Sequence, residues 1–167
     1  KTFNFDSLNE KNQLSYRIFE ITAERTIAND RWRDYGYPVN QMFGWQTGIP
    51  SHLMTVHRVT SVDDAKAYIK RLNGVEALMG QLVASLEKRA GMGIQAPKFV
   101  YPYVIEASEN LLKGAPFDDS GEDSVLLADF RKKVAGLELP EAEADALVAE
   151  ASAALLAGVK PGYAALI

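Results

Sequence analysis

The chain has 167 residues, 47% of them hydrophobic and 24% charged, with no cysteine. Those proportions match an ordinary one-domain globular chain and exclude a disordered tail, disulfides, thiolate zinc sites, iron–sulfur clusters and a cysteine nucleophile. Eighteen basic against 22 acidic residues, net −4, give no basic surface for tracking phosphates, so no nucleic-acid partner is expected, and no run reaches the roughly 20 apolar residues of a membrane span.

Helical periodicity runs through almost the whole sequence. Ser7-Leu8-Asn9-Glu10 has capping-box spacing, a hydroxyl for an orphan amide with a carboxylate three residues on. Beyond it Leu14, Ile18, Ile21 and Ala28 form one apolar row, and Tyr16, Phe19, Ala23 and Ile27 a second. So broad a stripe predicts a long helix, to about Arg33, that packs on more than one neighbour. Residues 34–50 hold three glycines and two prolines and read as an ordered loop, followed by a short helix over 51–57. Ser61-Val62-Asp63-Asp64 opens the next helix with a cap and an acidic first turn, and Asn73-Gly74 stops it. Val75, Leu78, Met79, Leu82, Val83 and Leu86 define another, ending before Gly91.

Pro102 suits a first helical turn, from which Val104, Ile105, Leu111 and Leu112 lead to a stop at Gly114. Ser120-Gly121-Glu122-Asp123 reads as the cap of a helix through Leu126, Leu127, Phe130 and Val134, ending at Gly136. Pro140-Glu141 opens the last long helix, which Pro161 should kink or end. No segment alternates as a strand does, and Pro102 demotes the aromatic stretch 99–104. The expected fold is an all-α, irregular bundle of about six or seven helices without significant sheet, a single helical domain over residues 1–167.

Few residues offer chemistry. Gly91-Met92-Gly93-Ile94-Gln95-Ala96 fits a relaxed dinucleotide fingerprint, but a helix precedes it and Pro97 follows. A pyrophosphate site needs a strand before and a helix after, so this is a helix stop. His52 and His57 are the only histidines. Five residues apart on a helix, they differ by about 140° and cannot share a zinc-binding face. Glu20 and Glu24, with Arg17 and Arg25 nearby, read as a solvated face with helical ion pairs. Asp118-Asp119 with Glu122-Asp123 lacks the spacing of a calcium loop and suits a helix N-terminus. No catalytic, cofactor-binding or metal-ligating residue is assigned.

The connection Arg31–Trp45 is denser, holding both tryptophans, two tyrosines, two arginines and the amides Asn40 and Gln41. Either its aromatic residues plug the bundle while the amides satisfy local backbone, or it lines a site. Side-chain amides can grip a peptide backbone, so Asn40 and Gln41 are the candidate cleft-facing residues.

Asn4-Phe5-Asp6-Ser7-Leu8, Leu14-Ser15-Tyr16-Arg17-Ile18-Phe19-Glu20, and Trp32-Arg33-Asp34 through Tyr37-Pro38-Val39-Asn40-Gln41-Met42-Phe43-Gly44 together resemble the bacterial domain-of-unknown-function 885 family. The resemblance continues through Ala65–Leu72 and Ala115-Pro116-Phe117, with the Tyr-Pro-Val-Asn-Gln run its most specific part. It implies a much longer, mostly helical, exported parent, periplasmic or secreted. The C-terminal half of such a parent carries a His-Glu motif similar to zinc metallopeptidases. This chain has no His-Glu pair, and neither His52 nor His57 matches the motif.

The chain opens at Lys1 without a methionine or an apolar signal segment and closes on Gly162-Tyr163-Ala164-Ala165-Leu166-Ile167, apolar to its last residue. It therefore reads as the N-terminal part of a longer protein. The expected function is the helical region of a zinc-dependent, peptidase-like hydrolase, walling a substrate cleft. Its partners would be the C-terminal half of the same chain, which carries the zinc, and a peptide-like substrate. The alternative is a stand-alone helical binding or scaffold module. An exposed apolar patch, and with it a homo-oligomer, is expected of a severed part.

Overall fold

A computed structural model describes residues 4–167. Their contacts form two units, the first ending at Gly36 and the second spanning Tyr37–Ile167. Among the described residues there are helices and no strands. Read with the π turns that extend them, the helices make seven rods, so the chain is an all-α bundle.

In the first unit, Asn4 accepts from the Asp6 amide at 3.2 Å and caps a single 3-10 turn, Phe5–Ser7. The long helix α1, Glu10–Asn29, is capped by Asn9, whose Oδ1 accepts from the Asn12 amide at 2.9 Å. Ser7, the expected cap, instead donates to the Asn4 carbonyl at 2.7 Å, because the 3-10 turn has already used it. A further 3-10 turn, Asp30–Trp32, tightens the end. No residue of α1 is buried, and Leu14, Ile18, Phe19 and Ile27 are exposed. The expected packing on several neighbours is not met, since this unit contains no second long element on which to bury the stripe.

The second unit begins its helices earlier than expected. Helix α2 is Trp45–Ser51 and runs on as a π turn, His52–Val56, so the loop ends at Gly44 and the helix expected over 51–57 starts at Trp45. Pro50 lies inside it. A proline offers no amide to the carbonyl four residues back, and that carbonyl, of Gln46, accepts instead from the Tyr163 hydroxyl at 2.7 Å. Helix α3, Val62–Asn73, is capped by Ser61 as its sequence dictates, and Gly74 separates it from α4, Val75–Gly91. Helix α5 is Val100–Leu111, with Pro102 in its first turn.

Helix α6, Val125–Ala135, starts at Ser124 rather than in the acidic stretch before it. Those residues turn instead: Gly114 has φ +88°, Ala115–Pro116 is cis, and Ala115 meets Asp123 in an isolated parallel bridge. The last rod is α7, Glu141–Ala154, a π turn, Leu155–Val159, and α8, Lys160–Leu166. Pro161 does not end it. The wider turn upstream places Pro161 in the first turn of α8, where no amide is required.

Tyr68, Leu72, Met79, Phe130, Leu155 and Tyr163 are fully buried at the centre of this unit. Packing there reaches backbone contact. A Cβ on Gly158 would overlap the Leu72 carbonyl oxygen and lie 2.9 Å from Asn73 Cα, and one on Gly162 would lie 3.1 Å from Glu76 Cα. The last rod thus crosses the α3–α4 corner with no side chain between. Gly158→Ala should lower unfolding free energy by at least about 2 kcal/mol in urea melts, because backbone must move to admit the methyl. Gly48→Ala, at a helical position with nothing within 4 Å of the new carbon, should raise it by about 0.5–1 kcal/mol. Equal stabilities for the two variants would contradict the close approach.

Candidate functional site

Between α2 and the α3–α4 corner lies an open groove of about 580 Å³. Its wall from the loop and α2 presents Phe43, Trp45, Gly48, Ile49, His52 and Leu53. The facing wall presents Arg71, Gly74, Val75 and Leu78. Phe43, Trp45 and Leu78 are exposed, and no Asp or Glu lines the groove.

The loop wall is held by amides. Asn40 Oδ1 accepts from the Met42 and Phe43 amides at 2.9 and 2.8 Å, and its Nδ2 donates to the Tyr37 carbonyl at 3.3 Å. Gln46 Nε2 donates to the Asn40 carbonyl at 2.6 Å, while its Oε1, buried, has no protein partner. Gly44 makes this possible, for a Cβ there would overlap Gln46 Oε1 and lie 2.6 Å from the Asn40 amide nitrogen. Asn40 is thus committed to the turn that presents Phe43 and Trp45. Gln41 is exposed beside it, and neither residue lines the groove itself.

The facing wall rests on His57, which is 7% exposed. Its Nε2 lies 3.1 Å from the Asp64 carbonyl and so carries the proton, leaving Nδ1 to accept from Arg71 Nη1. Burial, and next to it the charges of Arg71 and Lys133, holds the His57 imidazolium pKa below its ordinary value, against the Asp64 carbonyl and carboxylate. Lys133 closes the end of the π turn. Widening that turn frees carbonyls, and Lys133 Nζ donates to those of Leu53 and Met54 at 2.7 and 3.0 Å while pairing with Asp129 at 2.8 Å. Tyr68 donates to the same carboxylate at 3.2 Å, and burial, then Asp129, raises its hydroxyl pKa above the ordinary phenol range.

The other candidate residues are occupied or dispersed. His52 lines the groove while His57 is turned to Asp64 and Arg71, so the two histidines do not act together. Glu20 and Glu24 lie exposed on α1. Asp118 accepts from the Ser120 and Gly114 amides, and hydrogen bonding from the Ser120 side chain first, then from those amides, holds its carboxyl below the ordinary range, while Asp123 pairs with Arg131 at 2.6 Å. Gly91–Ala96 forms the end of α4 and the turn after it, with Gly93 at φ +76°. Among the described residues no three of His, Cys, Asp and Glu converge as metal ligands. Sequence reasoning missed Arg71, which looks like an ordinary basic residue of a last helical turn, and Gly48, which looked like loop.

The site is thus an apolar groove of an all-α bundle, with the Arg71 guanidinium and the His52 imidazole as its polar lining. The chain belongs to the family described as bacterial protein of unknown function (DUF885), whose model matches residues 1–167. No curated protein and no solved structure matches it. No helix among the described residues is long and apolar enough to cross a membrane.

The tautomer of His57 sets a pH dependence. Because its folded pKa lies below the ordinary value of about 6.5, the unfolded chain binds more protons just below that pH, and stability falls as pH drops through this window. Urea midpoints at pH 7.5 and 5.5 should differ, and His57→Gln, which can still accept from Arg71, should shrink the difference. An unchanged difference in that variant would assign the effect to other groups.

Proposed function

We propose that this chain is the N-terminal helical region of an exported, periplasmic or secreted, zinc-dependent and peptidase-like hydrolase, in which it walls a substrate cleft. The observation that carries this reading is the open groove, walled by the exposed Phe43 and Trp45 and facing the Arg71 guanidinium. Such a surface can hold and orient a substrate while a zinc ion elsewhere in the parent would activate water. Zinc and its ligands would come from the C-terminal half of the same chain, as the family resemblance implies, and the substrate would be peptide-like. Gln41, and Asn40 through the turn it organises, would face that cleft. Contact between copies through the exposed Phe43 and Trp45 belongs to the same proposal.

A stand-alone binding module is the second reading, favoured by the groove's size, which falls within the 300–1,000 Å³ usual for small-molecule sites. The two separate in the full-length parent. Phe43 is 85% exposed, so Phe43→Ala should leave the melting temperature alone. In a peptidase it should raise KM about tenfold with little change in kcat, the mark of lost substrate binding. A parent that holds zinc and cleaves peptides supports the hydrolase. A parent with neither property, or an unchanged KM in the variant, removes the cleft wall and leaves the binding module.

A further inference from the structure

We infer that the groove between α2 and the α3–α4 corner is a site for a carboxylate attached to a bulky apolar group, with Arg71 as the carboxylate's partner. The inference uses the groove of the preceding proposal but not the hydrolase, and it holds equally for a binding module.

Three observations carry it. The first is the state of Arg71. A guanidinium has five N–H donors in a planar fork. One nitrogen is fixed by His57 Nδ1, and His57 is fixed in turn through Nε2 by the Asp64 carbonyl. The fork is therefore held in place by a neutral acceptor, which leaves its charge uncompensated. Among the described residues no carboxylate lies within ion-pair distance of it.

The second is the lining. Apart from Arg71 and His52 it consists of apolar side chains and glycines, without an acidic residue. An anion entering here meets one sign of charge and little competing polarity. A planar, two-oxygen carboxylate matches a fork that is already oriented. The third is the room beside it. Phe43, Trp45, Ile49 and Leu78 supply aromatic and aliphatic walls, and Gly48 leaves open space where any other residue would project. The shared chemistry is that of an N-acylated apolar amino acid, free or as the C-terminal residue of a peptide.

Trp45 lines the groove and reports occupancy. With Trp32→Phe to remove the other tryptophan, the 167-residue chain is titrated with N-acetylphenylalanine, with its amide, with a glycyl-glycyl-phenylalanine peptide and with that peptide's amide, following Trp45 emission. Both acids should bind at least about tenfold more tightly than their amides, as a charge-assisted pair requires. A response to both acids means that the site reads only the terminal residue. A response to the peptide alone assigns it to peptide C-termini, and one to the acyl amino acid alone to a free small molecule. Arg71→Gln should abolish the preference for acid while leaving amide binding unchanged, and Arg71→Lys should restore part of it. Gly48→Leu should abolish binding of all four probes with no fall in melting temperature, so that loss of binding is not loss of fold. Equal binding of acids and amides, or an acid preference that survives Arg71→Gln, would overturn the inference. So would emission that ignores every probe and shifts only with protein concentration, which would make the groove a contact between copies. Loss of the acid preference alone leaves the cleft wall standing, because that reading is decided by KM in the parent.

Discussion

The last rod of the second unit lies where it does because two of its residues have no side chain. Gly158 and Gly162 bring the π turn and α8 against the backbone of Leu72, Asn73 and Glu76. At that distance Tyr163 is buried, and its hydroxyl reaches the Gln46 carbonyl. The bond matters because Pro50 cannot supply the amide that an ordinary helix would give that carbonyl. Helix α2 is thus completed from outside, by a residue of another rod. The groove depends on this arrangement, since α2 and its π turn carry Trp45, Gly48 and His52 as one wall and the corner under the last rod carries the other.

Both π turns do related work. Each widens the helix by one residue, which changes where later side chains point and releases carbonyls from their usual partners. In the first, the released carbonyls of Leu53 and Met54 are taken by Lys133 of α6, a cation also held by Asp129. In the second, the widening precedes Pro161 and lets the chain stay helical through it. Irregular turns here join elements together. The polar chain from Asp64 through His57 to Arg71 adds a further tie, running from the first turn of α3 to its last.

Much of the fold was legible because its punctuation is local. Ser61 caps α3 through its own hydroxyl, Gly74 stops it where its sequence predicts, α4 runs only one residue past its expected end, through Gly91, and Pro102 falls in a first turn. What could not be read depends on distant partners. Glycine and proline between Gly44 and Pro50 argue for a loop, and only Tyr163, far along the chain, reverses that. Ser7 had the correct spacing for a cap but was already used by a turn. The dense stretch around Asn40 supplies Phe43 and Trp45 to the groove. Its composition could not show that the Asn40 amide serves the turn while Phe43 and Trp45 form the wall. Arg71 carried no signal, because its partner His57 is distant on the helical pattern and meets it only in three dimensions.

The bond from Tyr163 to Gln46 spans 117 residues of sequence. Helices α3 and α4 likewise meet the last rod, far along the chain, so their packing rests on long-range contacts that are slow to close. Helix α2 waits on the same rod, for the acceptor left bare by Pro50 needs a donor that is made long afterwards. On the ribosome, this part of the chain emerges early and stays incomplete until residues 158–163 have cleared the exit. The groove is therefore among the last features to take shape, although half of its wall is synthesised among the first residues of its unit.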